Sequence, residues 1–523
     1  MKKRYEMAST SRTKNSSLNL VTTFGQQLLN MALRFLVRTV FVYTLGKSYL
    51  GINGLFSDIL SMLCLAEFGF DTAINYKLYK PLVERDERAI RMYMSFFKKI
   101  YRMVSGVILG LGLLLIPALP VLIKDYDRLG ELGINAVLIY IIYLLQSVSS
   151  YLFFAYRSAI VKADQKSYIL NVVSGLVDIV LSFVQIAILL IWHNYIVYIM
   201  ALIGFNIIRN LISARIATAK YPNYFAGEAD TLSRQEIKEI FKDCSALFVF
   251  KVDNVIVKAT DNLVLSSFRG LAMVGEYSTY LLIYTSLKGI LNRMHDAVKA
   301  SMGNLFAVED IEHKYFFFET TNFITMILYG TAGGGIAIMS NELIGCWLGA
   351  DYVIPQPLPL LIGIELLFVG IKINLNQIRN ICGVFQQMWY RPLIGIVINL
   401  VVSVVGVFVW GINGVVLGTI MSLIFANFTV DPTVIHKYCF EGYQSVSRYY
   451  RRNFGYMAVL AVACAIAMWL CSHVFVGHGW FSVIVHSLIC GILIPVAFFL
   501  VYRRTEECRY LIKKVQLMRS RWR

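Results

Sequence analysis

Residues 18–45 read LNLVTTFGQQLLNMALRFLVRTVFVYTL, and residues 245–268 read SALFVFKVDNVIVKATDNLVLSSF. Each is long enough to cross a bilayer as a helix, which takes about 20 apolar residues. The first carries Asn30, Arg34 and Arg38, and the second Lys251, Asn254, Lys258 and Asp261. Spacings of three and four put each set on one helix face. A cation in hydrocarbon costs about 3 kcal/mol or more, so these faces are expected to line a polar interior. One such helix in each half of the chain points to a water-filled cavity between the halves that receives an anion.

The rest of the chain supports a membrane setting. Of 523 residues, 57% are hydrophobic and 15% charged, with a mean hydropathy of +0.62. A soluble surface needs more charge than that. Apolar runs recur near 18–45, 50–75, 100–123, 134–156, 168–192, 195–217, 244–268, 271–292, 316–340, 357–380, 391–410, 412–435, 455–476 and 480–502. These fourteen runs predict an all-α polytopic membrane protein. They are continuous rather than alternating in ten-residue pieces, which excludes a β-barrel. The basic opening MKKRYEMASTSRTKNSS leads into a full-length apolar run, so no cleavable signal is expected.

Basic residues orient the spans. Arg34, Arg38, Lys251, Lys258, Lys288 and Lys372 fall inside them, and with a cytoplasmic N-terminus only Lys47, Lys124, Arg128 and Arg269 fall on outer connections. All other lysines and arginines then lie on the cytoplasmic side, which places both termini there. The net charge of +17 is thereby a loop asymmetry and not a nucleic-acid footprint. The nine cysteines show no paired spacing, and the seven histidines show no metal spacing. No P-loop, HExxH or GxSxG motif occurs, so no cofactor, no metal and no enzymatic activity are expected.

The connection 218–243 contains SRQEIKEIFKDC, in which Ser233 and Glu236 form a capping-box pattern. A surface helix is expected to run from there into the seventh span. This connection divides the chain into 1–230 (spans one to six), 231–445 (spans seven to twelve) and 446–523 (two further spans and a basic tail). The halves resemble each other weakly: YTLGKSYLGINGLFSDIL follows the first charged helix and SSFRGLAMVGEYSTYLLI the second. Six spans per half would relate such repeats by an axis along the membrane normal. The glycine run TAGGGIAIM at 331–339 suits close helix packing or a flexible point, not phosphate binding.

Within the spans, the candidate cavity cations are Arg34, Lys258, Lys251, Arg38, Lys288 and Lys372. Arg34 and Lys258 lie about 24 and 21 Å along their helices from the cytoplasmic end, too deep to snorkel out easily. Asn30, Asp58, Asp71, Asp178, Asn254, Asp261 and Glu365 are candidate polar or ion-coupling partners; local pairing among helices is the alternative role for the acids. Tyr280 and Tyr284 share a stripe with Lys288 and are candidates for stacking on sugar rings.

Further stretches carry a family resemblance. RTVFVYTLGKSYLGINGLFSDILSMLCLAEFGFDTAINYKLYKPL at 38–82, TDNLVLSSFRGLAMVGEYSTYLLIYTSL at 260–287, ASMGNL at 300–305, GINGVVLGTIMS at 411–422 and DPTVIHKYCF at 431–440 resemble the bacterial polysaccharide repeat-unit flippases (Wzx-like) of the multidrug/oligosaccharidyl-lipid/polysaccharide exporter superfamily. The resemblance implies two six-helix bundles in an inverted V plus two C-terminal helices, in the bacterial cytoplasmic membrane. It implies a monomer that moves undecaprenyl-diphosphate-linked oligosaccharide between leaflets by alternating access, among membrane lipids and beside polysaccharide polymerase machinery. Coupling to an H⁺ or Na⁺ gradient would accompany it. Other readings stay open: a lipid II flippase, a cation-coupled drug exporter, or a membrane polymerase or ligase. The last would need a large outer loop bearing Arg or His, and no expected connection supplies one.

Overall fold

The computed structural model describes residues 2–67, 69–124, 126–130, 133–226, 230–474 and 479–521. Side chains are described for these except 2–17, 20, 71–73, 128, 243, 246, 247, 297, 300, 301, 304, 307, 515, 518, 519 and 521. The regular structure is helical throughout the described residues. It divides into two compact units, Met1–Gly275 and Glu276–Arg523.

The first unit holds α1 (Lys2–Leu45), α2 (Lys47–Leu63), α3 (Phe70–Glu84), α4 (Glu87–Leu114), α5 (Leu119–Leu122), α6 (Ala136–Leu152), α7 (Ser158–Ala163), α8 (Ser167–Trp192), α9 (Tyr195–Lys220) and α10 (Arg234–Arg269). Here α1 packs along α8, α2 against α10, α4 against α6, and α8 against α9. The helix α10, which carries the seventh expected span, therefore packs within the first unit.

The second unit holds most of α11 (Leu271–Val308), then α12 (Ile311–Leu348), α13 (Leu358–Cys382), α14 (Arg391–Trp410), α15 (Ile412–Ser422), α16 (Val430–Tyr438), α17 (Val446–His473), α18 (Trp480–Tyr502) and α19 (Glu506–Arg521). Its core is the packing of α12 on α13 and α18, with α17 on α18 and α14 on α15. Pro432 has no N–H to give the Phe428 carbonyl, and the chain passes through a π-helical turn, Leu423–Phe428, just before it.

Eleven helices among the described residues are long and apolar enough to cross a membrane, and the bent pair Ala136–Leu152 with Ala155–Ala163 makes twelve. The other two expected spans lie on α10 and α11, helices of 36 and 38 residues whose charges lower their apolarity. One expected span, 50–75, is broken: α2 ends in a short 3₁₀ turn, and Gly69 at φ 79° separates it from α3.

The surface start of α10 is built as its sequence pattern predicts. Glu236 N donates to Ser233 Oγ at 3.2 Å, and Ser233 N donates to Glu236 Oε2 at 2.8 Å. Those bonds to Ser233 hold the Glu236 carboxyl below the usual carboxylate range. A depressed folded value means this contribution is present at neutral pH and fades as pH falls through that value. Ser233→Ala is expected to cost about 1 kcal/mol in thermal unfolding. An unchanged midpoint would show that the cap contributes nothing.

The glycines carry the closest helix approaches. α1 joins α2 through Gly46 (φ 82°, ψ −172°), and α10 joins α11 through Gly270 (φ 88°, ψ 170°). Five residues beyond each turn comes another glycine. A Cβ on Gly51 would lie 2.0 Å from the Leu271 carbonyl oxygen, and one on Gly275 would lie 2.2 Å from that of Lys47. Leu271 and Lys47 are the residues directly after the two turns. The contact is reciprocal, with each helix presenting the same two positions to the other.

Candidate functional site

The reciprocal turn gives a register for the charged helices. Moving on by the 224 residues that separate Gly46 from Gly270 carries Asn30 to Asn254 and Arg34 to Lys258. The two polar stripes are thus equivalent positions on α1 and α10. Both Arg34 and Lys258 have exposed side chains, well inside the apolar stretches 18–45 and 245–268 of α1 and α10.

Each cation has acidic company within Met1–Gly275. On α8, Asp178 forms an ion pair with Arg209 of α9. Asn30 bonds to the same carboxylate, and the Arg34 charge bears on it too. Two guanidiniums around one carboxylate leave an excess of positive charge. On the α2–α10 side, Asn262 Nδ2 donates to Asp58 Oδ2 at 2.5 Å, with the Lys258 charge beside it. Lys251 Nζ donates to Glu67 Oε2 at 3.0 Å. Arg38 lies by Tyr198 on α9.

Lys251 and Glu67 stand at the edge of a cavity of about 390 Å³ between α2, α6 and α10. Its polar wall is Ser57, Ser61, Gln146, Ser147 and Ser150. Tyr143, also on the wall, donates to Asn53 Oδ1 at 2.9 Å. Several of these hydroxyls donate to groups of the protein, so the wall offers mainly acceptor oxygens beside one paired cation, and this suits a hydroxylated ligand.

The remaining candidates are placed as follows. Asn254 is exposed and donates to the Phe250 carbonyl at 2.9 Å, and Asp261 is buried on the same helix. The side chain of Asp71 lies outside the described residues. In the second unit Lys288 Nζ sits 5.3 Å from the centre of the Tyr284 ring. Tyr284 and Tyr280 are buried; the Tyr280 hydroxyl donates to Asn341 Oδ1 at 2.6 Å and accepts from Ile354 N at 2.8 Å. Those bonds hold the Tyr280 hydroxyl within the second unit.

Glu365 and Lys372 are buried on α13. Lys372 belongs to a cluster missed in the sequence. Arg391 Nε lies 3.3 Å from Asp431 Oδ1, both side chains 1% exposed, and Asn427 Nδ2 donates to Asp431 Oδ2 at 3.1 Å. The charges of Arg379 and Lys372 bear on the same carboxylate. Arg209 and the Gln146–Ser150 wall were also missed. Their signal was a polar stripe at i, i+4, seen in Gln146 with Ser150 and in Asn206 with Asn210, which ties α9 to α6 through bonds from Asn206 to Ser149 and Ser150.

No protein-family model matches this chain, and no curated protein matches it. Solved structures do. An inward-facing multidrug resistance MATE family transporter of the MOP superfamily aligns with a TM-score of 0.59 at 12% identity, covering 82% of this chain and 100% of that one. Lipid II flippase MurJ, in an inward closed conformation, aligns with a TM-score of 0.59 at 14% identity, covering 92% and 98%. An outward-facing MATE family transporter aligns at 0.51 and 13% identity, covering 80% and 95%. At such identities the likeness is one of fold. The chain is a multi-pass membrane protein with the fold shared by MATE and MurJ transporters.

Proposed function

We propose that this protein is a flippase that moves a polyprenyl-diphosphate-linked oligosaccharide, an undecaprenyl-linked repeat unit for surface polysaccharide, across the cytoplasmic membrane by alternating access. The observation that carries the reading is the equivalent pair Arg34 and Lys258, exposed within the apolar stretches 18–45 and 245–268, where lipid contact would cost about 3 kcal/mol or more. A diphosphate needs such groups, because its own charge is expensive away from water. Charge-assisted hydrogen bonds to both cations offset that cost. Asp178 and Asp58 hold the cations while no substrate is bound, and an arriving diphosphate competes with them. Protonation or Na⁺ binding at these carboxylates would release the cations, which is the form ion coupling takes in this proposal. The hydroxyl and amide wall near Lys251 supports a sugar-bearing head group.

The MATE fold is equally compatible with drug export, but a cationic drug is poorly served by Arg34 and Arg209 around a single carboxylate. A lipid II head group also joins a diphosphate to sugars, so the nature of the saccharide separates the two flippase readings. The test is Arg34→Gln with Lys258→Gln in cells whose surface polysaccharide is measurable. Each charged hydrogen bond contributes about 1.5–3 kcal/mol, so each variant is expected to slow translocation about tenfold or more. Lipid-linked saccharide should accumulate on the inner leaflet, and its sugars identify the cargo. Normal surface polysaccharide in the double variant, at wild-type protein level, refutes the proposal.

A further inference from the structure

The C-terminal helix α19 belongs to the second unit and lies apart from the charged stripes of α1 and α10 in sequence. It starts four residues after the end, at Tyr502, of α18, a helix long and apolar enough to cross a membrane. Its start is fastened internally. Arg452 forms ion pairs with buried Glu507 and with Glu319, whose other oxygen bonds Arg448 at 3.0 Å. Tyr510 packs edge-on against Phe316 of α12 at 5.5 Å. Held this way, α19 has an apolar cavity on either side of Leu511. One, of about 310 Å³, is lined by Phe323, Ile327, Pro495 and Phe499. The other, of about 180 Å³, is lined by Phe317, Ile324 and Leu328, with Lys514 at its edge. The outward side of the same segment is basic: Arg503, Arg504, Arg509, Lys513 and Lys514 are all exposed, against exposed Glu506.

We infer that α19 and its two flanking cavities form a binding site for an anionic phospholipid of the adjoining leaflet. The acyl chains occupy the paired cavities, and the phosphate and head group lie on Arg509, Lys513 and Lys514. The charge arrangement selects the occupant. A zwitterionic lipid gains nothing net from a row of exposed cations, whereas an anionic one gains at each. Hydrocarbon suits walls that are mostly apolar, with His295, Thr320, Thr321 and Gln377 the polar exceptions in the smaller cavity, and a helix apolar on one side and basic on the other suits the membrane surface.

The test uses the full chain in detergent, equilibrated with equal amounts of phosphatidylglycerol and phosphatidylcholine and read by native mass spectrometry. Wild type is expected to retain phosphatidylglycerol preferentially, with the preference falling as salt rises. Each of Arg509→Gln, Lys513→Gln and Lys514→Gln should reduce that preference about fivefold, since one surface cation contributes about that factor. All three positions are exposed, so folding should be unaffected. Leu511→Trp should lower retention of both lipids by filling the cavities. Equal retention of the two lipids by wild type, or an unchanged preference in the triple variant, overturns the site. Displacement of phosphatidylglycerol by an equal amount of undecaprenyl phosphate would assign the cavities to a polyprenyl chain and overturn the phospholipid assignment.

Discussion

Asp431→Ala should be the most damaging single substitution of a charged residue in the second unit, lowering stability by about 3–5 kcal/mol. Asp431 is 1% exposed and is the common counter-charge for Arg391, Arg379 and Lys372. Its removal takes away a negative charge that three buried cations share. Arg391→Ala should be milder, because Asp431 keeps Asn427 and two other cations. The double change Arg391→Met with Asp431→Leu should recover part of the loss, since apolar isosteres of a buried pair are often neutral or stabilising. Thermal unfolding in detergent gives the order. If Asp431→Ala proves no worse than Arg391→Ala, the clustering of three cations on one carboxylate is wrong.

Gly51→Ala and Gly275→Ala should each destabilise by about 2–3 kcal/mol, at the upper end of what overpacking a tight contact costs. One methyl suffices because what it meets is backbone: the Leu271 carbonyl at 2.0 Å for Gly51 and the Lys47 carbonyl at 2.2 Å for Gly275. A carbonyl in a helix cannot rotate aside, so α2 and α11 would have to separate. Gly335→Ala is the control. A Cβ there meets nothing within 4 Å, and removing a helix-interior glycine should stabilise by about 0.5–1 kcal/mol. Similar midpoints for all three variants would refute the close crossing.

Much of this fold was legible because it is local. Apolar runs of membrane length, the Ser233–Glu236 cap and the glycine run at 331–339 are each written within a few residues. That run behaves as expected at Gly333, where a Cβ would meet the Gly363 carbonyl at 2.4 Å, and at Gly334, against Cys464 and Ile494. The break at Gly69 was not legible, since the surrounding residues are apolar enough to continue a span.

Partner choice was legible least of all. Periodicity shows that Lys251 lies on a polar face, but not that its counter-ion is Glu67, 184 positions away, instead of neighbouring Asp253. In the same way Asp178 was visible, while Arg209 looked like one more basic residue near a cytoplasmic end. Arg391 and Asp431 were hidden because each sits at a helix start, where charge is ordinary. Only packing makes a mid-chain arginine a buried one.

The reciprocal turn at Gly46 and Gly270 has a stereochemical consequence for any bound diphosphate. It makes Arg34 and Lys258 twins in position, yet they are not twins in chemistry. A guanidinium is a planar fork that grips two oxygens at once, while an ammonium is a compact point that can follow one oxygen as it moves. In the proposed flippase, a duplicated frame with unlike hands would give a diphosphate cargo a defined polarity, with one phosphate clasped rigidly and the other on a pivot. Exchanging the hands, Arg34→Lys with Lys258→Arg, would keep the charge and reverse that polarity.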